Sequence, residues 1–266
     1  MDESPTTYEN LTVEISDGVA TVTLNRPAAL NAFNMSAKAE LAIVIGNLAD
    51  DPRTRCVVFT GAGKAFSAGS DISEMALNDS PVRSRSRLQV LLREIYIPLA
   101  EMEKPTIASV NGYAFGSGLS LALACDIVIA SKVATMSCAF STMGLLPDCG
   151  SLYFLPRRLP MNLAKELIFT GRRFDADEAL ALNLINQVVP AAELERVTRE
   201  LALELAAGPT VAFGISKRLL DQSHQTSLHE MAMLEEFGQA VLFSTDDHQA
   251  ARDAFLNKTK ASFRGC

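Results

Sequence analysis

Residues 104–157 read KPTIASVNGYAFGSGLSLALACDIVIASKVATMSCAFSTMGLLPDCGSLYFLPR, and their pattern decides the fold. Thr106–Val110 and residues 126–130 are apolar runs of strand length. Between them lies a segment suited to a short buried helix opened by Gly116-Ser117-Gly118. Two glycine-bearing turns, at 112–118 and 147–150, are each expected to follow a strand-like run. A glycine-rich turn feeding a helix N-terminus leaves backbone N–H groups unpaired and aimed outward, which suits a phosphate or a developing oxyanion. Asp148, the single acid of the second turn, is the residue expected to carry chemistry.

Upstream, Leu11–Ser16 and Val19–Leu24 alternate with period two around Asp17-Gly18, a hairpin signal. A helix is expected over 36–49, with Leu41, Val44, Ile45 and Leu48 on one face. Asp50-Asp51-Pro52 makes the next turn, and residues 55–60 read as a buried strand. A turn at 61–64 and an anion-facing loop at 66–71 follow, with Asp71 placed to cap residues 72–75. Residues 81–102 read as a long helix with an arginine-rich start (Arg83, Arg85, Arg87), kinked or ended by Pro98. The polar run 78–86 is the candidate for a mobile lid.

Strands alternating with helices predict an α/β fold with a mainly parallel sheet. After Arg157 the pattern is helical over 159–170 and 176–182, strand-like over 185–189, then helical over 193–207, 210–222, 231–245 and 248–257. This divides the chain into a core at 1–200 and a helical C-terminal region at 201–266.

Bulk properties narrow the function. The chain has 266 residues, 48% hydrophobic and 21% charged, which is ordinary globular composition. A net charge of −7 argues against nucleic acid as the main partner. The N-terminal MDESPTTYEN carries no secretory pattern and no apolar run approaches a membrane span, so a cytoplasmic location is expected. Five cysteines without paired metal spacing predict no metal site; Cys56 and Cys125 read as buried small apolar residues, Cys138 and Cys149 as pocket lining.

At residues 104–131 the sequence resembles the crotonase superfamily, the enoyl-CoA hydratase/isomerase fold of repeated ββα units. LNRPAALNAF at 24–33, GKAFSAGSDISEM at 63–75, LPDCGSLYFLPR at 146–157 and FTGRRFDADEALALNLINQVV at 169–189 extend the resemblance, in order, over nearly the whole chain. The resemblance implies a coenzyme A thioester as substrate partner, with coenzyme A entering as part of the substrate and no separate cofactor. Its carbonyl oxygen would meet the backbone N–H groups of Ser70 and Ser117, worth about 3–4 kcal/mol per donor. Ser117 replaces the family's usual glycine. Ala68, Gly69, Asp71 and Ile72 would line the adenine side, with Ala28 and Ala29 near the nucleotide, and Gly116, Ser120 and Phe140 are further CoA- or substrate-binding positions. Position 28 is often lysine in the family, so one phosphate contact is expected to be missing. A homotrimer or hexamer, clasped by the C-terminal helices, is also implied.

The departures point to the reaction. Hydratases of the family use two glutamates, and the matching positions here are Ser120 and Phe140. Adding water across a double bond needs paired acid/base groups, so ordinary hydration is not expected. Asp148 stands where isomerase branches carry their acid, in a turn resembling that of phenylacetate-pathway ring-opening isomerases, whose following L-P-R is expected to end a strand. One carboxylate suffices for a 1,3-proton shift, as in enoyl-CoA delta isomerases.

Plainer readings stand beside this one. Pro-Asp-x-Gly is an ordinary turn, Gly116-Ser117-Gly118 a close packing site, and Asp71, Glu74 and Asp126 structural caps or partners. An aspartate nucleophile in acyl-CoA dehalogenation would call for a histidine base, yet His224, His229 and His248 all lie in the helical tail. A non-catalytic CoA-ligand- or RNA-binding role is the remaining alternative.

Overall fold

The computed structural model describes residues 6–74 and 80–266. Eleven strands are named there: β1 (Thr6–Thr7), β2 (Leu11–Ser16), β3 (Val19–Leu24), β4 (Cys56–Gly61), β5 (Ala65–Ser67), β6 (Thr106–Val110), β7 (Tyr113–Phe115), β8 (Ile127–Ser131), β9 (Thr135–Ser137), β10 (Arg173–Asp175) and β11 (Gln187–Val189). The helices are α1 (Met35–Asp50), α2 (Pro81–Leu91), α3 (Ile97–Glu101), α4 (Ser117–Ala124), α5 (Ser151–Arg158), α6 (Met161–Thr170), α7 (Ala176–Ala181), α8 (Leu194–Ala206), α9 (Thr210–Gln222), α10 (Leu228–Leu242) and α11 (Asp246–Asn257).

The larger sheet has the order β1-β2-β3-β4-β6-β8-β11. From β3 onward its pairings are parallel, and the first hairpin is antiparallel. Asp17 and Gly18 turn that hairpin with φ of 52° and 78°, the left-handed pair a two-residue turn demands. The central strands are apolar throughout because both faces are covered. Cys56, Val58, Ile107 and Ile129 face a cluster closed by Leu194, Ala202 and Ala206 of α8. Val57, Phe59, Ala108, Val110, Val128 and Ala130 face the larger cluster that takes in Leu41, Val44, Ile45 and Leu48 of α1.

A second sheet, β10-β9-β7-β5, was not legible as a sheet in the sequence. Its strands have three residues each, too few to show alternation. The first glycine turn follows β6 as expected but contains a strand of its own, and the second does not follow a strand. Residues 113–115 of the first are strand β7, and the second follows a 3₁₀ turn at Ser141–Met143 rather than a strand. The L-P-R segment is likewise helical: it belongs to α5, where Pro156 forfeits one late ladder bond and the Leu159 N–H still closes on Leu155 O at 2.9 Å.

Pro98 does not end the helical run, which continues through it as α3 to Glu101. Before it the helix widens into a π turn at Leu92–Tyr96, with the Ile97 N–H donating to Leu92 O. The wide turn buries both Ile95 and Tyr96. Of the run 78–86, residues 78 and 79 lie outside the described residues, and 80–86 form the exposed start of α2, capped by the Ser80 hydroxyl. Residue 200 lies within α8, which packs on the larger sheet. The tail folds back beyond α11, where the buried Asp247 carboxylate accepts from the amides of Arg264 (2.6 Å) and Gly265 (2.8 Å). No helix among the described residues is long and apolar enough to cross a membrane.

Candidate active site

Two backbone arms meet at the N-terminus of α4. The first is the loop after β5. Asn31, with φ of 56°, donates from its side chain to the carbonyls of Ala62 and Ala65 and accepts from the Arg26 N–H. The buried Ser67 hydroxyl then donates to Asn31 O at 2.8 Å and accepts from the Gly69 N–H at 3.1 Å. Ala68 N–H donates to Leu30 O and Asp71 N–H to Phe33 O. Between these committed amides, the Ser70 N–H has no acceptor among the described residues.

The second arm turns at Gly116, whose φ of 50° and ψ of −121° belong to a residue without a side chain. Helix α4 begins at once with Ser117, carries no side-chain cap and is buried along its length. The Ser117 N–H therefore heads the helix with no acceptor among the described residues, where the helix dipole favours negative charge. The arms are jammed together. A Cβ on Gly118 would lie 2.4 Å from Ser67 O, and one on Gly69 would lie 3.4 Å from the Ser117 nitrogen. The Ser70 and Ser117 hydroxyls are 3.2 Å apart. Tyr96, delivered by the π turn, donates its hydroxyl to Ser117 O at 3.0 Å and so fixes that peptide plane.

The walls are made by residues from separate elements. The Phe140 ring lies over Gly116, about 3.8 Å from where a Cβ would stand. Ser120 is wholly buried, and its hydroxyl lies 2.6 Å from that of Ser151 and 3.2 Å from Gly116 O. Ser151 also donates its N–H to Asp148 O at 2.9 Å, tying the Asp148 turn to α4. Asp148 is half-buried, and its Oδ1 is buried with no hydrogen-bond partner among the described residues. Burial pushes its carboxyl above the usual aspartate range, while contact with Cys149 and the charge of Lys38 pull the other way. Burial, then Cys149 and Asp148, also raise the Tyr96 hydroxyl, so Tyr96 adjoins both the Asp148 turn and the α4 arm.

Cys149 has a φ of 54°, and its buried thiol is pushed up chiefly by desolvation; Cys138 is pushed up to about 12 by the same cause. Neither is a poised thiolate. Ala28 is exposed and Ala29 half-exposed on a 3₁₀ turn, beside Arg26. Arg26 pairs with Asp71 at 3.1 Å, and Asp71 also accepts from Ser73, which with Arg26 holds its carboxyl below the usual range. Ile72 is exposed at the rim. Asp126 is structural: it accepts from the Thr106 N–H and hydroxyl and from Lys217 at 2.8, 2.8 and 2.9 Å. A cavity of about 950 Å³ reaches the C-terminal end of α4, against Leu123, Asp126, Arg157, Lys217 and His224, and is lined also by Tyr96 and Gly150.

The structure thus brings Ser70, Ser117, Gly69, Gly116, Ser120 and Phe140 around the head of α4, with Asp148 joined to them through Ser151 and Tyr96. Tyr96, Ser151, Asn31 and Arg26 were missed in the sequence. Tyr96 had no signal beyond the proline after it, because only a π turn brings it inward.

Residues 14–265 match the family model described as enoyl-CoA hydratase/isomerase. The chain is 38% identical to a short-chain-enoyl-CoA hydratase of Clostridium acetobutylicum, over 94% of this chain and 96% of the relative. It is 36% identical to a 1,2-epoxyphenylacetyl-CoA isomerase of Escherichia coli K12, over 94% and 97%. The crystal structure of an enoyl-CoA hydratase/isomerase from Cupriavidus metallidurans CH34 superposes with a TM-score of 0.91 at 34% identity, covering 98% of each chain. With a family match along almost its entire length and a crotonase fold to accompany it, the chain belongs to the enoyl-CoA hydratase/isomerase family.

Proposed function

We propose that the protein is an acyl-CoA enzyme that shifts a double bond toward the thioester, with Asp148 as the sole acid/base. The observation that carries this reading is the Asp148 carboxylate, half-buried with one oxygen unpartnered and linked by Ser151 and Tyr96 to two free amides, while Ser120 and Phe140 fill the positions of the hydratase glutamates. In this mechanism the Ser70 and Ser117 N–H groups hold the thioester oxygen. Asp148 removes the α-proton of a 3-enoyl thioester, and the bonding pair moves into a dienolate whose charge rests on that oxygen. The protonated Asp148 then returns the proton to the γ-carbon, the carbonyl reforms and the double bond lies between α and β. Phe140 and the Ser120–Ser151 pair leave no second carboxylate at the hydratase positions to hold and split water.

The name of the isomerase relative supports the reading; that of the hydratase relative opposes it, and the two are separable by assay. With 3-enoyl-CoA the conjugated thioester absorbance should rise, and with 2-enoyl-CoA it should not be lost to hydration. Because the ionised carboxylate is the base and burial raises its pKa, kcat/KM should climb with pH and level off above an inflection higher than that of an ordinary aspartate. A rate that is flat from pH 4 to 8 would remove Asp148 from proton abstraction.

We also propose a trimer or a hexamer built from it. Helix α10 buries no residue within the single chain and leaves Leu228 (87%) and Phe237 (71%) exposed, as α11 leaves Phe255 (83%). Apolar area of that kind calls for a partner surface. Sedimentation should give a multiple of three chains, and a monomer at micromolar concentration would contradict it.

A further inference from the structure

The two residues whose amides stand free at the head of α4 both carry hydroxyls, and those hydroxyls touch each other at 3.2 Å. A serine hydroxyl has one proton to give and lone pairs to receive. One proton of the pair is used between the two oxygens, and neither oxygen makes another hydrogen bond among the described residues. One proton is therefore left without an acceptor. Each hydroxyl is three bonds from its own amide nitrogen, so an oxygen held by both amides lies within reach of the pair. The surroundings keep it there: Tyr96 fixes the Ser117 peptide, and the Phe33 bridge and Ser67 fix the loop carrying Ser70.

We propose that the Ser70–Ser117 hydroxyl pair donates a third hydrogen bond to the substrate's thioester oxygen, making both serines catalytic through their side chains as well as their amides. This rests on the acyl-CoA reading above. The free proton gains most when the oxygen carries the dienolate charge, because hydrogen bonds to a charged acceptor are the stronger ones. The contribution should then appear in kcat more than in KM.

The test is Ser70→Ala and Ser117→Ala, singly and together, with two readouts. The first is the infrared carbonyl stretch of bound butyryl-CoA, which cannot undergo the double-bond shift. The second is steady-state turnover of a 3-enoyl-CoA. In the wild-type protein the stretch should move to lower frequency on binding, and part of that displacement should be lost in the double variant. Turnover should fall about tenfold in the double variant with KM nearly unchanged, and each single variant, which keeps one hydroxyl proton with no partner serine to receive it, should lose less. A double variant that keeps the full carbonyl displacement and turns over within about twofold of wild type, a difference below the worth of a hydrogen bond, would overturn the proposal while leaving the amide sites standing. No displacement even in the wild type would remove the thioester oxygen from both amides and hydroxyls, overturning the underlying reading as well.

Discussion

Asp148→Asn is expected to lower kcat for the 3-enoyl to 2-enoyl conversion by about 10²–10⁴-fold, the range that a positioned acid/base supplies. Asparagine keeps the shape of the side chain and the turn that Ser151 closes on Asp148 O, but it has no basic lone pair for a carbon-bound proton. Acyl-CoA binding should persist, because the amides of Ser70 and Ser117 are untouched. The same variant has a stability signature of defined sign. Burial raises the folded-state pKa of Asp148 above its unfolded value, so its contribution to stability is complete at low pH and declines as pH rises through the folded value. Asparagine removes that decline. The variant should be more stable than wild type at neutral pH, by about 1 kcal/mol if the relief matches that of one unpartnered buried group. The gain should vanish below the ordinary aspartate range, where the wild-type carboxyl is protonated in both states. Parallel thermal melts at acid and neutral pH read this directly. A stabilised, inactive variant separates a carboxylate kept for chemistry from one that merely fills a turn.

Ser117→Pro is expected to lower kcat/KM by about 10²–10³-fold, the effect of losing one oxyanion donor. Ser117 is the first residue of α4, where proline is well accommodated because the N–H there has no helical acceptor. The substitution therefore deletes the group at issue while leaving the helix able to form. Its ring also enters the space of the bound oxygen, which adds a binding cost to the lost donor. Retained far-ultraviolet circular dichroism with lost turnover is the expected pair of results. Turnover at the wild-type level would show that the thioester oxygen is not held at the head of α4.

Sequence patterning carried the frame of the molecule and part of its site. The first hairpin was legible because Asp17-Gly18 admits one turn chemistry, and the apolar face of α1 because its period is long enough to see. The central strands were legible as buried runs because α8 and the α1 side cover both faces. The second sheet was hidden by strands of three residues, whose pairing is set by the turns around them. The start of α10 carries its own signal, a reciprocal capping box between Ser227 and Glu230, and the helix begins at Leu228, three residues before the expected start. At the site, glycine turns announced free amides, and the lone acid of its turn announced Asp148. What no spacing announces is a contact between distant elements. Tyr96 reaches Ser117, and Ser151 reaches Ser120, only because a π turn and α5 bring them there. The reading of Leu155-Pro156-Arg157 as a strand end failed because L-P-R suits the end of either element, and Gly150, with its φ of 82°, launches a helix.

The most direct test of a single-carboxylate proton shift is to incubate the wild-type protein with a 3-enoyl-CoA in D₂O and follow substrate and product by mass spectrometry. The expected result is conjugated 2-enoyl-CoA that carries no added water, holds at most one deuterium per turnover, and fails to form with Asp148→Asn. Accumulation of a 3-hydroxyacyl-CoA, or product formation undiminished in that variant, would contradict the account.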